Sequence, residues 1–182
     1  VGSDFAMDAM KKPLAMGADR LVLVDDSGLD NIDSAATVRV LAAAIEKDGP
    51  YDLILGGRQA SDWDQAHVTL GLSEVLGLPL VSLVQKLELN GDSVSLQRVI
   101  PDGYQTITAP VPSVLTITNE LGEPRYPNLR GIMQASRKKP EIFSLAVLGI
   151  SSGDLAPKLE LKKLYIPESN KQVELIEGED EG

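Results

Sequence analysis

The first half of the chain changes rhythm between helix-spaced and continuous apolar positions. Phe5, Met7, Met10, Leu14 and Ala15 fall roughly on one face of a predicted helix over Asp4–Met16, capped by Ser3 and stopped by Gly17. Pro13 is expected to bend it, because proline has no N–H and crowds the preceding turn. Residues 20 to 24 then form a short apolar run of buried-strand type, closed by the turn Asp25-Asp26-Ser27-Gly28. Ala36, Val38, Leu41, Ala42 and Ile45 stripe a second helix from Ser34 to Lys47, ended by Asp48-Gly49-Pro50. Asp52–Leu55 is the next buried strand and runs directly into Gly56-Gly57. A third helix is expected from Asp64 to Leu76, with Gly77 as its stop. Strands and helices alternating at this spacing imply a parallel sheet covered on both faces and joined by right-handed crossovers.

After Gly77 the rhythm turns to period two. Strands at 84–88 and 94–99 flank Asn90-Gly91, the strongest short-range hairpin signal. Pro101-Asp102-Gly103 makes a further turn before a strand at 104–108, and another strand runs from Ser113 to Thr118. A short helix is expected at Asn128–Ala135, after Pro127. From Ser144 the chain reads as irregular, an arm rather than a core, with one strand candidate at Leu159–Ile166. The expected class is therefore α/β: a doubly wound, mostly parallel sheet with an antiparallel hairpin excursion and an extended C-terminal arm. Residues 1–143 make the sheet domain and 144–182 the arm.

Composition narrows the chemistry. The chain has no Cys, which removes disulfides, thiolate catalysis and cysteine-held metal clusters. One His without a carboxylate at ligand spacing argues against a metal site. A net charge of −10 repels a phosphate backbone, so nucleic acid is not expected as a partner. Part of that charge lies in Glu174–Gly182, which reads as a solvated terminus. Arg137-Lys138-Lys139 reads first as a helix C-terminal turn, where cations complement exposed carbonyls. No apolar run reaches the length of a bilayer span, so no membrane insertion is expected.

Two segments carry candidate chemistry. The first, Gly56 to Val68, leaves the carboxyl end of a buried parallel strand and enters a helix. Open α/β sheets bind ligands there: paired glycines admit close approach, and a helix N-terminus offers free N–H groups to a phosphate. The same residues also suit an ordinary turn with Asp62 or Asp64 as helix cap, Trp63 covering a core edge and His67 as a hydrogen-bonded scaffold residue. The segment matches neither a G-x-G-x-x-G nor a Walker loop. No G-x-S-x-G elbow or other catalytic constellation stands out. The second segment is Thr118 to Met133. Pro124 and Pro127 stiffen it around Arg125-Tyr126, and Leu129 follows. A stiff mount suits docking of an apolar side chain, because little freedom is lost on contact. From the residues alone, the default is that Leu129 packs inward.

Three blocks resemble the electron transfer flavoprotein beta subunit family: Leu14–Arg20, Asp52–Val68 with its Gly-Arg-Gln-Ala core at Gly57–Ala60, and the string from Asn119 to Met133 that contains Pro124-Arg125-Tyr126-Pro127 and Leu129. The third block is the most specific, since no fold rule demands it. The resemblance implies a Rossmann-like fold of the adenine nucleotide alpha hydrolase type. It implies a heterodimer with an alpha subunit holding redox-active FAD, while this subunit holds AMP, or a second FAD where electrons are bifurcated. It places nucleotide contacts at Val1 and at Gly57, Arg58, Gln59, Ala60, Ser61, Asp62, Trp63, Asp64, Gln65, Ala66, His67 and Val68. It places partner recognition at Tyr126, Pro127, Asn128, Leu129 and Arg130, with Leu129 as the anchor for dehydrogenases.

The implied function is to carry electrons from acyl-CoA or other dehydrogenases to a quinone oxidoreductase or another acceptor. The subunit would have no catalytic constellation of its own. The implied setting is the cytoplasm in bacteria and archaea, or the mitochondrial matrix in eukaryotes. The arm is expected to pack on the alpha subunit. The family often has Gln at His67 and Gly at Thr69, and usually a small or acidic residue at Trp63, so AMP, FAD and a variant pocket stay open. Gln134 and Arg137 stand where some relatives carry modified lysines. The family pattern also has a strand–helix section before Val1 and a helix beyond Gly182, so the chain is expected to be a fragment that depends on a partner for stability. Two other readings are an adenine-nucleotide hydrolase of the ATP pyrophosphatase type and a stress-type nucleotide sensor. The first needs a Ser/Gly-rich pyrophosphate loop absent here, and the second has no use for the Pro-Arg-Tyr-Pro-x-Leu segment.

Overall fold

The computed structural model describes residues 1–166 and Glu168. The acidic stretch Glu174–Gly182 and most of the outer arm lie outside them. Two short helices, α1 (Met7–Met10) and α2 (Lys12–Ala15), replace the single helix expected over Asp4–Met16. The break falls at Lys11, because Pro13 has no N–H for the first helix and instead occupies the opening turn of the second. Ser3 caps neither helix; its hydroxyl donates to Asp30.

Strand β1 (Val22–Val24) leads to helix α3 (Ser34–Asp48), strand β2 (Leu53–Gly57) and helix α4 (His67–Leu76). Helix α4 starts three residues later than the sequence suggests. Asp64 and Ala66 adopt left-handed backbone, with φ of 54° and 56°, which no helix can include. The chain continues through β3 (Leu80–Asn90), β4 (Ser93–Ile100), β5 (Gly103–Pro110), β6 (Ser113–Ile117), α5 (Leu129–Arg137) and β7 (Glu141–Phe143). Three residues are too few to show a period, and β7 has no counterpart in the sequence reading.

The larger sheet has the order β2-β6-β3-β4-β5, while β1 and β7 form a separate ladder. The pairs β1–β7, β2–β6 and β6–β3 are parallel; β3–β4 and β4–β5 are the antiparallel excursion around Asn90-Gly91 and Pro101–Gly103. Strand β3 serves both systems. Its start pairs with β6, and the ladder then shifts at Leu83, a non-glycine residue at φ 61°. The displaced Leu83 N–H donates to Thr116 Oγ1 at 2.8 Å, so the irregularity leaves no orphan donor there.

Helix α3 is buried on two sides, which is why its stripe is broad. Ala36, Val40 and Ala44 pack with Val24, Phe143, Leu145 and Leu155. Val38 and Ala42 pack with Leu72 of α4. The start of the presumed arm is thus core: Leu145 and Leu155 are buried although their segment joins no ladder. The strand candidate Leu159–Ile166 is not a strand, and its residues are exposed. Its apolar alternation lapses at Lys162-Lys163, and at its root the Leu159 N–H donates to a carboxylate instead of a ladder.

Candidate functional site

Strand β2 ends at the carboxyl edge of the parallel ladder, where Gly57 lies opposite Ile117 of β6. A cavity of about 390 Å3 opens there, lined by Ser34, Gly57–Ala60 and Gln65–Thr69. Two close approaches set its walls. A Cβ at Gly56 would lie 2.2 Å from Thr69 Oγ1, so α4 sits directly on the strand backbone. A Cβ at Gly71 would lie 2.7 Å from Val38 Cγ2, which fixes α4 against α3. The Thr69 hydroxyl donates to the Gly57 carbonyl at 3.1 Å and ties the strand exit to the helix.

The first N–H groups of α4 set it apart from the other long helices. Asp33 accepts from Ala36 N at the start of α3, and Asn128 accepts from Gly131 N at the start of α5, both at 2.8 Å. Helix α4 begins after Ala66, which has no side-chain cap to offer. The alternative of Asp62 or Asp64 as its cap is therefore excluded: Asp62 accepts from Trp63 N, and Asp64 accepts from the Gln59 side chain. Donors left unpaired at a helix start are a ready site for an anion.

The structure brings eight of the singled-out residues to this cavity: Gly57, Arg58, Gln59, Ala60, Gln65, Ala66, His67 and Val68. Ser61, Asp62, Trp63 and Asp64 form the exposed outer bend of the same loop, with Trp63 54% exposed and covering no core edge. Val1 lines a different cleft of about 150 Å3 with Val22, Val24 and Leu41, beside the bridge from Gly2 to Asp25. Ser34 and Thr69 also line the cavity, although the sequence marks Ser34 only as a helix start and Thr69 only as a departure from the family pattern. The signal for Ser34 was available, since helix starts in a βαβ unit gather at the carboxyl edge that also holds the loop after β2.

Glu120, just beyond β6, has its carboxyl held below the ordinary value, chiefly by the Thr118 side chain and least by the charge of Arg58. Asp33 is held below its usual range by N–H groups, first that of Ala36 and then that of Lys158. It spans two segments, since its second oxygen accepts from Lys158 N at 2.6 Å and Leu159 N at 3.2 Å.

The second candidate segment is convex. Tyr126 is 90% exposed and Leu129 81% exposed, so the inward packing expected of Leu129 by default does not occur. Leu129 is the first residue of α5, and Pro127, Asn128 and Arg130 stand exposed beside it. The mount beneath is tight. A Cβ at Gly131 would lie 2.6 Å from the Ala15 carbonyl oxygen, and the Arg125 guanidinium covers Gly17. Lys11 Nζ donates to Ser136 O, and Lys138 Nζ donates to Ala18 O and Asp19 O. Of the basic run, Arg137 stands in the last turn of α5 as expected, while Lys138 serves carbonyls beyond the end of α2 rather than those of its own helix. Among the described residues no acidic or His cluster suits a metal ion, and no helix is long and apolar enough to cross a membrane.

A family model described as the electron transfer flavoprotein domain matches residues 1–148. The electron transfer flavoprotein subunit beta of Thermoanaerobacterium thermosaccharolyticum is 41% identical over 159 residues, covering 87% of this chain and 61% of that protein. The protein of the same name from Bacillus subtilis is 34% identical over 180 residues, 98% of this chain and 70% of its own length. The caffeyl-CoA reductase-Etf complex subunit CarD of Acetobacterium woodii is 33% identical over 181 residues, 98% of this chain and 69% of that subunit. The chain thus spans between 61% and 70% of the length of these relatives. With the matched model covering most of its residues, the chain belongs to the electron transfer flavoprotein family.

Proposed function

We propose that this chain is the beta-type subunit of a heterodimeric electron transfer flavoprotein and holds an adenine nucleotide in the cavity after β2. The observation that carries the reading is the uncapped start of α4 opening on that cavity, with Arg58 on the wall. Backbone N–H groups and a guanidinium are suited to a phosphate. The volume of about 390 Å3 falls in the range of small-ligand sites, and it suits a mononucleotide such as AMP better than a second FAD. The redox-active FAD belongs to a partner alpha subunit. Electrons enter from acyl-CoA or other dehydrogenases docking over Leu129 and leave to a quinone oxidoreductase or another acceptor. The bacterial relatives support a cytoplasmic setting. The subunit's contribution is binding and positioning rather than a catalytic side chain of its own. The exposed, rigidly mounted Leu129 supports the docking part of the reading.

The test is to purify the full chain from its source under native conditions, identify what accompanies it, and analyse the nucleotide released on denaturation. A second chain bearing FAD, together with one AMP per complex, is the expected result. Two FAD per complex and no AMP would replace AMP with the two-flavin arrangement. A lone chain without nucleotide would overturn the proposal.

A further inference from the structure

We propose that Arg98, on the apolar face of the larger sheet, receives a carboxylate from the partner alpha subunit and anchors the two chains together. The inference rests on the heterodimer reading above and goes further by assigning the joint to one side chain and naming the chemistry of its mate. Register places Arg98 in a row that crosses all five strands: Gly57 of β2, Ile117 of β6, Val84 of β3, Arg98 of β4 and Gln105 of β5. Residues opposite each other in a ladder share a face, and so do residues two apart along a strand. Arg98 therefore stands on the side that carries Val84, Leu96 and Leu115, the buried cluster of this sheet. A cation there breaks an apolar run, since Val94 and Leu96 precede it on the same side of β4 and both are buried.

The chain itself leaves Arg98 without a mate. Its Nε is shut off from solvent and has no hydrogen-bond partner. None of the ion pairs among the described residues includes it. Buried donors in folded proteins are nearly all paired, so the acceptor belongs to something that lies over this face. The face is closed in the middle, where Val84 and Leu115 are fully buried, and open on both flanks. Gln105 is exposed on one flank. On the other, Leu55 pairs with Leu115 and is 54% exposed. Nε and a terminal nitrogen of the guanidinium present two parallel N–H groups, which match both oxygens of a carboxylate. A neutral carbonyl would take a proton but leave the charge without a counterion as the face is covered. The mate is thus an Asp or Glu of the alpha subunit, set beside apolar side chains that cover Leu55.

The rate at which the full chain leaves its natively purified heterodimer, followed by exchange with a fluorescently labelled copy, tests this. Arg98→Met keeps an apolar stem in the sheet and removes the charge. It should speed dissociation about thirtyfold, because the partner's carboxylate is left buried and unpaired. Amide hydrogen exchange along β3, β4 and β6, read with the alpha subunit in excess, should be unchanged or slower, since no orphan donor remains in the sheet. Arg98→Lys keeps the charge but not the paired N–H groups, and should speed dissociation about threefold. One Asp→Asn or Glu→Gln substitution in the alpha subunit should match the effect of Arg98→Met and add little to it in the double variant. Unchanged dissociation in Arg98→Met would overturn the assignment while leaving the heterodimer standing. So would faster dissociation accompanied by faster amide exchange along β4, which would make Arg98 a support of the sheet alone. A wild-type chain that purifies with no flavin-bearing partner would sink the heterodimer reading and this inference together.

Discussion

The cavity after β2 and the ridge around Leu129 are built on opposite principles. The cavity is concave and framed largely by backbone: glycines at the strand exit, a helix start without a cap, and Ala66, a non-glycine residue at positive φ. The ridge is convex and made of apolar side chains, Tyr126 in the loop and Leu129 at the start of a helix that Lys11 and Lys138 tie to the segment around α2. A concave site holds a ligand by leaving donors unpaired, whereas a convex one holds a partner by leaving apolar surface uncovered. Each carries a local cost, offset by tight packing in the layer beneath.

The comparison breaks most sharply at Gly56. Gly56→Ala places a methyl group 2.2 Å from Thr69 Oγ1, so α4 must move off β2. A loss of about 2–3 kcal/mol in chemical denaturation is expected, typical of overpacking, together with loss of the bound nucleotide. Thr69→Gly removes all three atoms that the new methyl meets. The double variant should therefore recover much of the stability. Failure of that rescue would mean that α4 is not held against the strand as described.

Gly131→Ala is the matching test on the ridge. The new methyl would lie 2.6 Å from the Ala15 carbonyl, a backbone atom that no rotamer can move. Part of that strain is offset because alanine favours helix over glycine by about 1 kcal/mol. A net loss of about 1–2 kcal/mol is expected, with slower electron delivery from dehydrogenases but unchanged nucleotide content. Loss of nucleotide in this variant would show that the two regions are coupled rather than separate.

The cavity was readable in the sequence because its elements announce themselves. A buried strand running into Gly56-Gly57, followed by a helix stripe, is a local signal with a known ligand geometry. The outward direction of Leu129 was not readable that way. A leucine beside Ile132 and Met133 has the spacing of a core face, and only the tertiary contact of Gly131 on Ala15 decides which side of α5 is buried. The start of α4 was misplaced for a related reason: propensity does not anticipate left-handed Asp64 and Ala66. The break at Lys11 also exceeded the bend expected from Pro13. Strand β7 and the burial of Leu145 and Leu155 depend on residues more than a hundred positions away, which no local rhythm can report.

Leu129→Ala sharpens the comparison at the level of function. The side chain is 81% exposed, so its removal should leave stability within about 0.5 kcal/mol of wild type. The rate of flavin reduction by a dehydrogenase, followed by stopped-flow absorbance in the heterodimer, should fall about tenfold, in keeping with an apolar anchor at the centre of a contact. The nucleotide content should not change. Unaltered reduction kinetics would remove Leu129 from the docking role and leave the ridge without one.

The smallest effect separates the two regions by acid alone. Helix α3, on the cavity side, is capped by a carboxylate, Asp33, whereas α5, on the ridge, is capped by the amide of Asn128. Bonds from Ala36 N, Lys158 N and Leu159 N favour the charged form and hold the Asp33 carboxyl below its usual value. Its contribution is therefore fully present above the unfolded-state value and is lost as pH falls through the lower folded one. The cap is worth about 1 kcal/mol or less at such a partly solvated position. Amide hydrogen exchange, corrected for its intrinsic pH dependence, reads this residue by residue. Protection at Ala36 and Lys158 should decline as the solution is acidified through the carboxylate range, while protection at Gly131 holds. In Asp33→Asn the decline should vanish, because the amide still accepts from Ala36 N but no longer titrates. Equal acid sensitivity at Ala36 and Gly131 would mean that the chain opens as one unit, and that the carboxylate cap gives the cavity side no separate response to pH.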